Sequence, residues 1–287
     1  MHYNGGQKTD MEKNNLNNLI DGRAIATHLF NNIAEQVSAL PFKPVLCDVI
    51  IGDDPVSWSY VKIKRKKAQS CGMEFSLLHL PADSTEQEII DSIQAEQTKP
   101  NLCGLIVQLP LPKHLNSVNI LNAISPSVDV DVINSREYTD LIPPTAGAIL
   151  QILLSLPIDL AKEKFLVLGQ GELVGKPITK ELRMRGYTVD TATKETLNKS
   201  ELLRSATVII TGVGKAGIVT GDDISSGAII IDAGTSESAG SITGDVDFES
   251  VVDKVRFITP SPGGVGPVTV AKLLENVLEV AKNHLVL

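Results

Sequence analysis

The chain has 287 residues, a formal net charge of −8, and is 43% hydrophobic and 21% charged, proportions of a water-soluble globular protein long enough for two modest domains. The acidity argues against a nucleic-acid partner, since a duplex binder spreads a basic footprint over a whole face, and no apolar run approaches the roughly 18 residues of a membrane span. Cys47, Cys71 and Cys103 form an odd set with no CxxC pair, which argues against a disulfide framework or a structural zinc site and for a reducing, cytoplasmic setting.

Residues 1–19 are polar, Asn-rich and without an apolar leader, and read as a loose tail. Strand-like and helix-like stretches then alternate: "PVLCDVIIG" (44–52), the basic segment "SWSYVKIKRKK" (57–67), "FSLLHL" (75–80), "STEQEIIDSIQAE" (84–96) and "GLIVQLP" (104–110). This is a βαβαβ pattern, and its crossovers imply a mainly parallel sheet. Ser84 followed three residues later by Gln87 is the expected start signal of the second helix. The loop-rich "SPSVDVDVINSREYTDLIPPT" (125–145) leads into the apolar helix "AGAILQILLSL", where the domain junction is expected. Beyond it "FLVLG", "YTVDTA", "ATVIITG", "GAIIIDAG" and "RFITP" repeat the alternation between 165 and 260, as in a Rossmann-like half. The expected class is therefore a two-domain α/β protein. The first half covers 20–145 and the Rossmann-like half covers 146–269.

Five basic residues lie between 57 and 67, and a helical wheel at about 100° per residue separates them. With Tyr60 at zero, Cys71, Lys64, Ala68 and Val61 fall at roughly 20°, 40°, 80° and 100°, whereas Lys62, Arg65 and Lys66 fall beyond about 140°. Lys64 thus lies inside the apolar stripe one turn from Tyr60, while Lys67 flanks the stripe and is expected to snorkel outward. Gln108, at the end of "LIVQ" and pinned by "LPLP", belongs at the carboxyl edge of the same sheet. Asp129 and Asp131 alternate with valines, which in an extended segment would turn both carboxylates to one side. Without a nearby histidine or a third acid they are not read as a metal site.

In the second half "VLGQGELVGKP" sets Gly169, Gly171 and Gly175 at a strand-to-helix turn, which permits close approach of backbone to a pyrophosphate. "TGVGKAG" (211–217) supplies a second glycine turn at the carboxyl edge, and "TPSPGGVGPVTV" (259–270) crowds proline and glycine into a stiff loop with exposed N–H groups.

Taken in order, "IGDDPVSWSYVKIK", "GLIVQLPLP", "DVD", "LVGKP", "GDVDF" and "TPSPGGVGPVTVAKLLEN" resemble signature segments of the bifunctional methylenetetrahydrofolate dehydrogenase/methenyltetrahydrofolate cyclohydrolase family. The resemblance runs from "LIDGRAIA" to the C-terminal helix. It implies a folate-binding substrate domain over 20–145, joined by a C-terminal helix at 270–287, a Rossmann domain over 146–269 holding NADP, with NAD as the alternative, and a homodimer acting on tetrahydrofolate derivatives. By position it makes Lys64 the catalytic lysine, Gln108 the amide orienting it, Tyr60 the ring stacked on the folate, and Asp131 the carboxylate recognising the pterin. Pro262 and Gly266 would line the pterin pocket. Gly169, Gln170, Gly171, Lys194, Glu195, Gly212, Gly214 and Thr235 would contact the cofactor.

The sequence departs from the family pattern at several of these places. Val128 and Val132 stand where lysine and glycine usually flank "DVD", and "NSREYTD" (134–140) lacks the expected Asn-x-Gly. Gln170 and Gly171 replace a frequent Arg-Ser, and Lys194-Glu195 follow the second strand where serine and a basic residue are common. Two other readings stand beside the bifunctional enzyme. One is a monofunctional relative, opposed by the presence of Lys64, Gln108 and both glycine turns. The other is a non-catalytic nucleotide-binding or assembly protein, which would leave Tyr60, Lys64, Gln108 and Asp131 without a shared purpose.

Overall fold

The computed structural model describes residues 18–133, 140–238 and 241–285. The chain divides into two compact units, 24–148 with 268–287 and 1–23 with 149–267. The divisions at 23, 148 and 267 thus differ by a few residues from the expected ones at 19, 145 and 269. Of the tail expected over 1–19, residues 1–17 lie outside the described residues, and the last two require a correction. Leu19 pairs in parallel with Ile258, the Ile258 N–H donates to the Asn18 carbonyl at 2.9 Å, and the Ile20 N–H donates to the Ile258 carbonyl at 2.8 Å. Residues 18–20 thereby cover a sheet edge that would otherwise present unpaired backbone groups.

The unit built mainly from 24–148 contains α1 (Gly22–Ser38), β1 (Val45–Ile51), α2 (Pro55–Ser70), β2 (Glu74–Leu80), α3 (Glu86–Glu96), β3 (Leu102–Val107), α4 (Ser117–Leu121) and the start of α5 (Pro144–Ser155). Its sheet has the order β2-β1-β3 with both pairings parallel, the outcome of two helical crossovers from one central strand. A central parallel strand is covered on both faces and reads as a continuous apolar run. β1 obeys this except at Asp48, which is completely buried. Cys47, Val49 and Ile51 join Leu105 and Val107 in one cluster with Ile89 and Ile93 of α3 and Ile120 and Leu121 of α4. By strand alternation Leu46, Asp48 and Ile50 face the other way.

The start of α3 differs from its expected signal by one residue. Thr85 is the N-cap: its hydroxyl accepts from the Glu88 N–H at 3.3 Å, and the Glu88 carboxylate accepts from the Thr85 N–H at 2.8 Å. Ser84 is buried just before the helix, so Thr85 and Glu88, and not Ser84 and Gln87, form the reciprocal pair. The C-terminal helix, Val265–Asn283, returns to this unit from residue 268. Its buried Asn276 amide donates to the carbonyls of Val130 at 2.8 Å and Ile142 at 2.9 Å. Close packing there requires glycine, since a Cβ at Gly104 would come within 2.8 Å of Val277.

The second unit is the five-stranded parallel sheet expected of a dinucleotide-binding fold. β4 (Phe165–Leu168), α6 (Gly175–Met184), β5 (Val189–Ala192), α7 (Lys199–Ser205), β6 (Val208–Thr211), β7 (Ile229–Asp232), the short hairpin β8–β9 (Ser236–Ser238, Ser241–Thr243), α8 (Phe248–Val251) and β10 (Phe257–Ile258) follow in order. The sheet order is β10-β7-β6-β4-β5, with β4 and β6 adjacent, so the glycine turns after these two strands are neighbours.

Two buried carboxylates secure the carboxyl edge of this sheet. Asp245 Oδ2 accepts from the Thr211 hydroxyl at 2.7 Å and the Val213 N–H at 2.6 Å, while Oδ1 accepts from the Lys215 N–H at 2.8 Å. Asp232 accepts from the N–H groups of Gly234, Asp245 and Val246 at 2.9, 3.1 and 3.0 Å. Burial pushes the Asp232 carboxyl up to about 6, against the lowering effect of these backbone donors. The turn after β6 is therefore held from beneath by Asp245. Replacing Asp245 with Ala would strand buried donors, each costing roughly 1–3 kcal/mol, so Asp245→Ala should destabilise the protein by about 3 kcal/mol or more in urea unfolding. A loss under about 1 kcal/mol would show that this network does not hold the turn.

Candidate active site

Asp54 begins α2 by accepting the Ser57 N–H at 2.7 Å, with Pro55 in the first turn, a pairing that fixes where the helix starts and thus which residues face inward. Val61, Lys64 and Ala68 are buried, and Lys62 and Lys66 are exposed. Lys67 is half-buried with its ammonium 4.5 Å from the Phe30 ring centre, and Arg65 lies over Phe75 at 5.3 Å. The wheel's separation therefore holds for buried Lys64 and exposed Lys62 and Lys66, whereas Arg65 and Lys67, expected outward, are half-buried against aromatic rings. Tyr60, one turn before Lys64, keeps its ring at the surface, 37% exposed.

Lys64 is 8% exposed, and its Nζ donates to Gln108 Oε1 at 2.8 Å. Gln108 follows the last residue of β3, and its own N–H is tied to the Val49 carbonyl at 2.8 Å. Its side-chain NH₂ donates to the Leu109 carbonyl at 3.0 Å, which turns the amide oxygen toward the lysine. The sequence reading missed a further partner. Asp48 Oδ2 stands 2.8 Å from Lys64 Nζ, its side chain wholly enclosed. The available signal was a lone acid in the apolar run "VLCDVII", since a buried carboxylate is tolerated only where it is paired. Burial pushes the Asp48 carboxyl up, and the Lys64 charge partly offsets this.

The Asp129–Asp131 segment is not the regular extended stretch that the alternation suggested. Val128, Asp129 and Val130 are all buried, and turns surround an isolated parallel bridge between Asp129 and Leu105. The Ile133 N–H donates to Asp129 Oδ2 at 3.0 Å, so Asp129 braces the loop. Asp131 is half-buried in electrostatic range of Lys64, Asp129 and Asp48. Burial pushes its carboxyl up to about 6; Lys64 opposes this, and the two neighbouring aspartates add to it. Val132 next to it has φ of +56°, a left-handed conformation in which a β-branched side chain is strained by about 1–2 kcal/mol. Residues 134–139 of "NSREYTD" lie outside the described residues.

At the other unit's glycine turns, Gly169 has φ of +82°, and a Cβ on Gly175 would lie 2.0 Å from the Gly169 carbonyl. Both positions therefore require glycine. Beside Gly171 there is open space, and the N-cap residue of α6, Val174, provides no side-chain cap. Clear space beside an uncapped helix N-terminus fits a dinucleotide phosphate. Gly212 packs on Val174, and Gly214 has φ of +76° with Thr235 beside it. Gln170 donates to the Gly169 carbonyl at 2.9 Å and to the Thr179 hydroxyl at 3.2 Å, so its amide braces the turn. Just past β5, exposed Lys194 and Glu195 face each other at 3.6 Å. The Thr193 hydroxyl holds the Glu195 carboxyl below its usual range. Asp190 lies within β5. Pro262 and Gly266 are exposed residues at the loop preceding and opening the C-terminal helix.

Comparison with known proteins agrees with both units. Residues 20–131 match the family described as tetrahydrofolate dehydrogenase/cyclohydrolase, catalytic domain, and residues 143–285 match its NAD(P)-binding domain. The chain is 40% identical to the bifunctional protein FolD of Anaplasma phagocytophilum, covering 91% of each chain. It is 38% identical to that of Nautilia profundicola, covering 92% of this chain and 97% of the relative. Among solved structures, the bifunctional FolD of Campylobacter jejuni superposes with a TM-score of 0.89 at 33% identity, covering 93% of this chain and 99% of the other. The Trypanosoma brucei enzyme, solved with NADP and an inhibitor, gives 0.86 at 30% identity over 93% and 98%. The enclosed lysine–glutamine pair on one unit and the glycine turns on the other thus sit in a chain that belongs to the tetrahydrofolate dehydrogenase/cyclohydrolase family.

Proposed function

We propose that this chain carries out both family reactions, with Lys64 as the proton-transfer group of the second. The enzyme oxidises 5,10-methylenetetrahydrofolate to 5,10-methenyltetrahydrofolate and hydrolyses that product to 10-formyltetrahydrofolate. The observation that carries the assignment is the enclosed Lys64 ammonium, 2.8 Å from the Gln108 amide oxygen and one helical turn from the exposed Tyr60 ring. NADP, when bound, supplies the hydride acceptor; Gly169, Gly171, Gly212, Gly214 and Thr235 form its cradle, with Gln170, Lys194 and Glu195 around it. We infer a cytoplasmic homodimer. Three buried free thiols support a reducing setting, and the homodimer rests on the family resemblance; sedimentation of the purified chain tests it.

The protein's share of the first reaction is positioning. Loss of hydride from the carbon bridging N5 and N10 leaves an amidinium cation, and Tyr60 and Asp131 hold the folate for that event. Asp131 accepts hydrogen bonds from pterin N–H groups, a charge-assisted interaction. In the second reaction water adds to the cationic carbon with loss of one proton to solvent; the Lys64 ammonium then gives a proton to N5 as the C–N5 bond breaks, and the resulting amine takes the remaining hydroxyl proton as the formyl C=O forms. A cation placed near Lys64 disfavours its ammonium and lowers the cost of releasing that proton. Gln108 keeps Nζ aimed while the proton moves.

Three measurements check this reading. Lys64→Met should lower cyclohydrolase kcat at least about 100-fold while dehydrogenase activity stays within about tenfold of wild type, because hydride transfer needs position and not this proton. Equal loss of both activities with loss of folding would make Lys64 structural. Asp131 binds pterin donors only when ionised, and its carboxyl is pushed up to about 6. Folate KM should therefore rise as pH falls through about 6, by roughly tenfold per unit below it. Asp131→Asn should raise KM at neutral pH and flatten that dependence; an identical pH profile in the variant would remove Asp131 from the site.

The third concerns the cofactor's 2′-position, where a phosphate favours a cation and a free hydroxyl favours a carboxylate. Lys194 and Glu195 oppose each other there, and Gln170 is engaged within its own turn. The ratio of kcat/KM for NADP over NAD should lie below about 100-fold and rise in Glu195→Ser. A wild-type ratio above that value would exclude weak discrimination.

A further inference from the structure

Asp48 has no part in the chemistry above, yet it is the most enclosed charged group near Lys64. It occupies the middle of the central strand, with no solvent exposure, on the sheet face opposite to Cys47 and Val49. Among the described residues no hydrogen bond reaches either of its oxygens, and the group at ion-pair distance is Lys64 Nζ, 2.8 Å away. A carboxylate buried this way costs several kcal/mol unless a charge compensates it. The lysine is that compensation, and the dependence is mutual.

A lysine ammonium has three donors on a stem with four rotatable bonds, so a single partner leaves it free to swing. Here one partner is the Gln108 oxygen and another is the Asp48 carboxylate, both at 2.8 Å. The amide oxygen fixes one N–H, and the charge of the carboxylate restrains the swing of the head group. We propose that Asp48 is a positioning residue of the hydrolytic half-reaction: its carboxylate holds the Lys64 ammonium against Gln108. The proposal rests on the assignment of hydrolysis to Lys64.

Other charged groups act on the same pair. Arg65 comes from α2 and Asp131 from the loop after α4, with Asp129 behind it; Cys47 and Glu96 lie on the opposite face of the sheet. Asp48 is the acid at ion-pair distance from Lys64 among the described residues. Its removal therefore takes away the carboxylate that restrains the ammonium beside Gln108.

The test measures both activities on the same full-length preparation of Asp48→Asn across the neutral and alkaline range. Cyclohydrolase kcat should fall about tenfold or more with dehydrogenase kcat within about twofold of wild type. Asp48→Leu, an apolar replacement matched to the strand, should show the same selective loss. Asp48→Glu, which keeps the charge, should recover part of the lost cyclohydrolase kcat. The proposal is overturned if Asp48→Asn leaves the ratio of activities unchanged. It is also overturned if the Asn and Leu variants lose both activities in parallel with thermal stability, which would make Asp48 a structural ion. The underlying assignment fails separately, if Lys64→Met still hydrolyses methenyltetrahydrofolate at the wild-type rate.

Discussion

An ammonium enclosed between a carboxylate and an amide is the constraint on which the folate-side unit depends. Asp48 comes from the first strand, Lys64 from the following helix and Gln108 from beyond the third strand, and both the carboxylate and the amide oxygen are 2.8 Å from the lysine nitrogen. Burying the charges unpaired would cost more than the net stability of most domains. The strand register, the entry of α2 at Asp54 and the direction of the Gln108 amide must therefore all be satisfied together. Parallel βαβ topology does this economically: the central strand sits next to both neighbours, and the helix after it crosses the same face.

The dinucleotide-side unit solves a different problem with the same kind of group. Its ligand-facing turns are rich in glycine and would be loose by themselves, because glycine gains backbone freedom at the expense of order. Asp245 and Asp232 receive their N–H groups from below, so the glycines can lie open to a cofactor without the loops losing their shape. The packing around these acids is tight: a Cβ on Gly234 would fall 2.0 Å from the Asp245 carboxyl, and one on Gly244 would fall 2.0 Å from Asp232 Oδ2. Here the carboxylates act as fixed acceptors for backbone, whereas near Lys64 a carboxylate faces a titratable cation.

Much of this was legible before any coordinates were considered, and the gaps have physical causes. Periodicity separated Lys64 from exposed Lys62 and Lys66 because helical geometry is local and the apolar stripe of α2 is intact. The parallel sheets followed from alternation of strand and helix patterns. Asp48 escaped because one acid in a strand cannot be assigned to a face or a partner without knowing what crosses above it, and its partner lies sixteen positions further along the chain. The start of α3 was off by one because Ser84-Gln87 and Thr85-Glu88 both satisfy the same local rule, and only the burial of Ser84 decides between them. The twist at "DVD" was invisible because alternation assumes extended backbone, while Val132 adopts a left-handed conformation. Leu19 was assigned to a polar tail since its pairing partner, Ile258, is remote in sequence.

The charge balance of the folate-side cluster bears on why one site can serve two reactions. A lone buried lysine would repel the amidinium cation that hydride loss creates, and so would oppose the first reaction while awaiting the second. Lys64 instead has Asp48 at 2.8 Å and Asp131 in electrostatic range, and an ionised Asp131 would offset the ammonium where a cation develops. Asp48, wholly enclosed, would act in this balance only through the lysine that it holds.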